Sequence, residues 1–337
     1  MEENNREQLV NLEKVQDNPQ VQLTNLNQAI ERSKRDGSLY VRRAIVYLRS
    51  GDAASALEDV NEGLRLAKND PTGLFVKAQV LRIMDKHQEA LRLAKQAERN
   101  SYQNPALYIL LSDLYLHEGD LVHAEEYINR AMEQSADDEY ALYYKGRIAV
   151  AKGDSTAALA HYKSALKQAP VFLEPKRELA GLYMGRKEYA DARPYLLNTL
   201  AARPEDAYLW YLRGRLYQAE QKQDSAFWSF RQALAKSDTI ADAHFQLGLA
   251  LHGRGENDSA IVHLEKIGRT HGRLPKYMST LGSSYERTGQ YQKSLQQYRR
   301  LLAAEPTYTY VYQTIERLKY KIERPRTDST AVYRGIN

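Results

Sequence analysis

A chain of 337 residues with 43% hydrophobic and 27% charged side chains has the composition of an ordinary folded protein, long enough to bury one or two cores. Its 48 Lys and Arg against 43 Asp and Glu leave a formal +5, small for the length and mixed in sign along the chain, which argues for solvated helix faces over a nucleic-acid stripe. With no cysteine there is no disulfide, thiolate zinc site or cysteine nucleophile, and no apolar run approaches the roughly 20 residues a membrane-spanning helix needs.

The start, Met1 to Arg6, is too polar for a signal peptide, and such a start also fits a chain from which an export signal or a lipid-bearing cysteine has been trimmed before Glu2. Leu9, Leu12 and Val15 predict a short helix broken at Asn18 and Pro19. Val21 to Arg35 place Leu23, Leu26 and Ile30 on one face, with Ala29 in phase with the small residues of the repeats that begin at Gly37. Residues 1–36 are therefore expected to form a helical cap.

From Gly37 to Tyr308 one pattern recurs every 34 residues without an insertion, so eight repeats fit, beginning at Gly37, Pro71, Pro105, Glu139, Leu173, Ala207, Ala241 and Pro275. Position eight of the repeat reads Ala44, Ala78, Ser112, Gly146, Ala180, Gly214, Gly248 and Gly282. Position twenty reads Ala56, Ala90, Ala124, Ala158, Ala192, Ala226, Ala260 and Ser294. Two helices approach closely only where neither carries a bulky side chain, so a small residue on each marks a recurring helix–helix contact.

Larger residues fill the space around that contact. Position eleven is Tyr47, Leu81, Tyr115, Ala149, Tyr183, Tyr217, Leu251 and Tyr285, and position twenty-four is Val60, Ala94, Ile128, Tyr162, Leu196, Phe230, Leu264 and Tyr298. Turn pairs such as Gly51 with Asp52, Gly119 with Asp120, Gly153 with Asp154 and Gly289 with Gln290 separate the two helices. Pro170, Pro204 and Pro306 stop second helices.

After the last repeat Val311, Ile315, Leu318 and Ile322 form the stripe of one closing helix over 309–323, and Glu316 in the small position leaves no place for a second. From Arg324 the sequence turns polar, and residues 324–337 are expected to lack fixed structure of their own.

These residues resemble the tetratricopeptide repeat family, over about four fifths of the chain. The resemblance implies an all-α, right-handed solenoid of eight helix-turn-helix repeats with helical caps. Departures from the family pattern are local: position four is aromatic only at Tyr40, Tyr108 and Trp210, position seven is Arg43, Lys77, Lys145 and Arg213 in four repeats, and the terminal proline is absent from five.

Nothing in the sequence points to catalysis. No strand pattern and no Gly-x-x-x-x-Gly-Lys segment suggest nucleotide binding, and no cofactor is implied. His117, Glu118, Asp120 and His123 come nearest to a metal constellation, but they span a turn and need not converge. Glu125 with Glu126 and Asp137 with Asp138 are adjacent, which points them apart on a helix. The chain is expected not to be an enzyme.

In the family, first helices line a concave groove through positions two, five, nine and twelve. Carried over, this implies a partner-binding set of Tyr140, Tyr143, Arg147, Arg177, Tyr208, Tyr211, Arg215 and Phe245, which suits an extended acidic or aromatic protein segment. Packing between neighbouring first helices is the equal alternative for these tyrosines, in a chain with 25 of them. The chaperone-tail clamp of some relatives needs Lys at position five and Asn at position nine, and no repeat here has either.

Val41, Ile45, Leu48 and Phe75 form an apolar patch that suits a second contact, the amino-terminal cap or self-association. The expected function is a noncatalytic scaffold or adaptor. The alternative is a bacterial cell-envelope lipoprotein, its anchor removed, that supports secretion or envelope assembly; the compartment leans slightly to the envelope over the cytoplasm. Regulatory nucleic-acid binding ranks below both, because the excess charge is small.

Overall fold

A computed structural model describes residues 18–324; the helix expected at Leu9, Leu12 and Val15 and the tail beyond Arg324 lie outside the described residues. Among the described residues there are nineteen helices and no strand. α1 (Pro19–Arg32) precedes the pairs α2 (Gly37–Arg49) and α3 (Ala53–Leu66), α4 (Pro71–Ile83) and α5 (His87–Arg99), α6 (Pro105–Glu118) and α7 (Leu121–Gln134), and α8 (Glu139–Ala151) and α9 (Ser155–Gln168). Next come α10 (Leu173–Gly185), α11 (Tyr189–Ala202), α12 (Ala207–Ala219), α13 (Gln223–Lys236), α14 (Ala241–Gly253) and α15 (Asn257–Lys266). A single turn, α16 (Gly268–His271), leads to α17 (Pro275–Arg287) and α18 (Tyr291–Ala304), and α19 (Tyr310–Glu323) closes the series.

The chain divides into two compact units between Pro175 and Lys176, inside α10. In the first, α2 packs on α3, α4 on α5, α6 on α7 and α8 on α9, while α2, α4, α6 and α8 also touch in succession as a row of first helices. In the second, α12 packs on α13, α14 on α15 and α17 on α18.

Side-chain caps fix where many of these helices start. Asp36 accepts from the Ser38 N–H at 3.0 Å, Asp70 from Gly73 at 2.7 Å, Asn104 from Ala106 at 2.8 Å, Asp138 from Ala141 at 2.8 Å and Asp206 from Tyr208 at 2.9 Å. Each satisfies an N–H that the first helical turn leaves without a partner. At the same 34-residue place Phe172, Ile240 and Leu274 stand before α10, α14 and α17.

Between first and second helices the backbone reverses through one left-handed residue. It is glycine at 51, 119, 153, 255 and 289, but Asp85, Lys187 and Gln221 take the same place at φ of +58°, +62° and +61°. The geometry is thus more regular than the glycine pattern that announces it.

All the small residues at positions eight and twenty are buried. Where position eight is glycine, the void its missing side chain leaves is filled from position twenty-four of the same repeat. A Cβ on Gly146 would lie 2.5 Å from the Tyr162 ring, and one on Gly214 would overlap Phe230. Where position eight is serine, the hydroxyl donates across the contact: Ser112 Oγ to the Ala124 carbonyl at 2.7 Å.

α1 runs from Pro19 to Arg32, capped by Asn18, which accepts from Gln20 N–H at 3.0 Å, and it buries Leu26 and Ile30. α19 buries Val311, Ile315 and Leu318 against α18 and leaves Glu316 exposed.

Candidate partner-binding surface

In the first compact unit α8 carries three of the residues selected from the sequence, Tyr140 exposed and Tyr143 and Arg147 half-buried. Tyr140 is 51% exposed, and its ring lies 4.8 Å from Phe172. Tyr143 lies 5.5 Å from the same Phe172 and 5.2 Å, edge on, from Tyr144. Phe172 occupies a helix-cap place and gives up a capping oxygen for this aromatic cluster. Position rules do not select it, although the break in the cap series at 172 is a visible signal.

One turn along α8, Arg147 Nη1 donates to Asp113 Oδ1 at 2.7 Å, while Arg82 Nη1 donates to Asp113 Oδ2 at 3.0 Å. Asp113 is largely buried, and both guanidinium groups are about a third exposed. Three consecutive first helices, α4, α6 and α8, therefore share one ion-pair cluster with two cations and one anion. Arg82 and Asp113 stand at groove positions twelve and nine of their repeats, outside the set selected from the sequence, because their pairing shows only when the helices are side by side. Tyr144, packed below Arg147, has its phenol pushed up from the ordinary value by burial and then by Asp113, so it stays neutral at physiological pH.

In the second compact unit Arg177 Nε donates to Asp206 Oδ2 at 2.6 Å, and its guanidinium lies 4.8 Å from the centre of the Tyr208 ring. Asp206 meanwhile caps α12, so one carboxylate fixes both the helix start and the arginine. Tyr208 is 6.3 Å from Tyr211, centre to centre. Tyr211 is only 7% exposed, and its hydroxyl accepts from Arg215 Nη1 at 2.9 Å. Burial raises the phenol pKa of both tyrosines. The Phe245 ring lies 5.0 Å from that of His271 in α16, tilted by 36°.

The selected residues thus differ in kind. Exposed Tyr140 and half-buried Tyr143 and Arg147 belong to one cluster, half-buried Arg177 and Tyr208 to a second, Tyr211 is wall with Arg215 latched onto it, and Phe245 is half-buried beside His271. The histidines near α7 go to separate partners. His117 stacks on His87 at 3.6 Å, and His123 Nδ1 bonds Asp120 Oδ2 at 2.6 Å.

Two family models, both described as tetratricopeptide repeat, match the chain, one over residues 81–148 and 149–216 and the other over 275–308. A TPR repeat-containing protein of Methanocaldococcus jannaschii is 22% identical over 240 residues, covering 67% of this chain and 41% of that protein. Anaphase-promoting complex subunit 3 of Schizosaccharomyces pombe is 23% identical over 245 residues, covering 72% of this chain and 36% of its own length. The chain thus spans about two fifths of the curated relatives it matches.

A solved structure of the APC/C hetero-tetramer Cut9-Hcn1 superposes with a TM-score of 0.61 at 14% identity, covering 90% of this chain and 60% of that one, which shows a shared fold. Proteins of this kind are generally noncatalytic scaffolds for protein–protein interaction. With half its length matched by repeat models and its helices paired as they require, the chain is a member of the tetratricopeptide repeat family.

Proposed function

We propose that the protein is a noncatalytic adaptor that holds an extended segment of another protein against its first helices, and that the segment is acidic with an aromatic or apolar residue beside the acid. The observation that carries this reading is the Arg82–Asp113–Arg147 cluster flanked by Tyr140, Tyr143 and Phe172. Two guanidiniums on one carboxylate leave an unmatched positive charge and free N–H groups on an accessible surface, held in place before any partner arrives. The neighbouring rings offer area at low entropy cost, and such anchors cost on the order of 2 kcal/mol or more when truncated.

In the second compact unit Arg177 on Tyr208 offers the same pairing of cation and ring and is read as a further contact. Residues 37–308 are read as eight repeats, which the helix starts at Gly37, Pro71, Pro105, Glu139, Leu173, Ala207, Ala241 and Pro275 support.

Affinity purification with crosslinking and mass spectrometry, comparing the wild-type chain with Tyr140→Ala combined with Arg147→Lys, tests the proposal. Lysine keeps the charge on Asp113 but loses the planar fork. A partner captured by wild type and lost by the folded variant supports the first-helix surface; equal recovery rejects it.

A further inference from the structure

The charge of this chain is less evenly mixed than its overall balance suggests. Between Glu118 and Glu139 eight acidic residues stand against the single basic residue Arg130, and between Gly268 and Arg324 eleven Lys and Arg stand against four acidic residues. The excess is seven charges in each stretch, of opposite sign.

The acidic stretch contains all of α7. Val122, Glu126, Asn129 and Glu133 recur at spacings of four, three and four along its outer face, all exposed, Val122 by 76%. Some acids of the stretch are neutralised, Glu125 by Lys152 at 2.6 Å for example. The side chains of Glu126, Glu133 and Asp137 make no ion pair or hydrogen bond among the described residues.

The basic stretch builds an edge where α18 ends against the connection into α17, marked by Arg300 Nη2 donating to the Gly272 carbonyl at 3.0 Å. Arg269, Arg273, Lys276 and Arg299 are exposed, and none pairs with a carboxylate among the described residues. Between them Leu274, 43% exposed, stands at the head of α17, where no side chain caps the first turn.

Each patch therefore pairs unneutralised charge of one sign with one exposed apolar residue. Crowded like charges are relieved by an opposing surface, and an apolar centre supplies the water-excluded contact that charge alone does not. A surface of matching sign and comparable excess already exists on every copy of this chain.

We infer that the protein self-associates, the α7 stripe of one copy docking on the Arg273 and Arg299 edge of a second. The two patches differ, so the contact is heterologous and either closes a ring or continues as a chain. Neither patch includes the first-helix residues proposed to hold a partner, so this contact and that one succeed or fail separately.

Sedimentation velocity on the full chain and on two charge-reversed variants tests the inference, all substituted side chains being exposed. Wild type is expected to form larger species at low ionic strength and to fall apart at about 1 M salt, where screening reaches about 3 Å. Glu126→Arg with Glu133→Arg, and separately Arg273→Glu with Arg299→Glu, are each expected to associate about tenfold or more weakly on their own. An equimolar mixture of the two is expected to associate again, because each then presents what the other lacks. A wild type that stays monomeric at low salt, association that survives in either variant alone, or an edge that binds single-stranded oligonucleotide while the chain stays monomeric would overturn it.

Discussion

A methyl group added at Gly214 would overlap the Phe230 ring, and one at Gly146 would lie 2.5 Å from Tyr162. These repeats thus divide the space of the crossing between position eight and position twenty-four, and Ala180 with Leu196 is an alternative division, with both side chains fully buried. Helix propensity alone makes Gly214→Ala stabilising by about 1 kcal/mol. Overpacking costs about 1–3 kcal/mol, so the substitution is expected to lower the urea midpoint. Adding Phe230→Leu, which copies the Ala180 and Leu196 pair, is expected to recover part of the loss; a Gly214→Ala chain as stable as wild type contradicts the coupling. At the left-handed turn Lys187→Gly relieves a strain of about 1–2 kcal/mol and loosens the unfolded chain by about 0.4–1 kcal/mol. A modest rise in the urea midpoint is expected there, with a fall for Gly119→Ala. That each position is small was legible in the sequence; that its size is set by one residue sixteen places on was not, because the pairing appears only when the helices cross.

At the scale of the helices, the caps and the α14–α15 contact show what a repeat pattern hides. Helices begin at Gly37, Pro71, Pro105, Glu139, Leu173, Ala207, Ala241 and Pro275, and an Asp or Asn cap stands before five of them. The departures at Phe172, Ile240 and Leu274 look like noise in sequence, yet Phe172 anchors the ring cluster of α8 and Leu274 is the apolar centre of the basic edge. Between α14 and α15, His244 is 2% exposed, and its Nδ1 lies 2.8 Å from His263 Nδ1, while its Nε2 donates to the Asp238 carbonyl at 3.1 Å. With its Nε2 donating, His244 accepts at Nδ1 from the Nδ1–H of His263, so the nitrogen of His263 left to titrate is Nε2. Burial, then His244 and Lys266, lower the His263 pKa, with Asp238 opposing. A depressed histidine contributes stability that is present above its unfolded value near 6.5 and lost as the pH falls through the folded value. The melting temperature is therefore expected to drop between about pH 7 and pH 5, and His263→Gln is expected to make that drop shallower; an unchanged slope contradicts buried His263 as its source.

For the whole molecule, family and fold class were legible because small residues recur at a constant period over eight stretches. The candidate surface was legible only in part. Position rules put Tyr140, Tyr143, Arg147, Arg82 and Asp113 at groove places without distinguishing them from Tyr211, which the second compact unit uses as wall, and they passed over Phe172, whose ring contacts depend on a neighbouring helix. The division between Pro175 and Lys176 left no mark in the repeat phase. The claim that the first-helix face holds a partner is tested most directly at Phe172, where function and stability are expected to move in opposite directions. Phe172→Asp restores the capping residue the other repeats use, worth about 1 kcal/mol, and removes the ring under Tyr140 and Tyr143. The measurement is titration calorimetry of the captured partner segment against wild type and this variant, with melting temperatures alongside. The account predicts affinity weakened about tenfold or more, near 1.4 kcal/mol, in a protein at least as stable as wild type; undiminished affinity in that stable variant would contradict it.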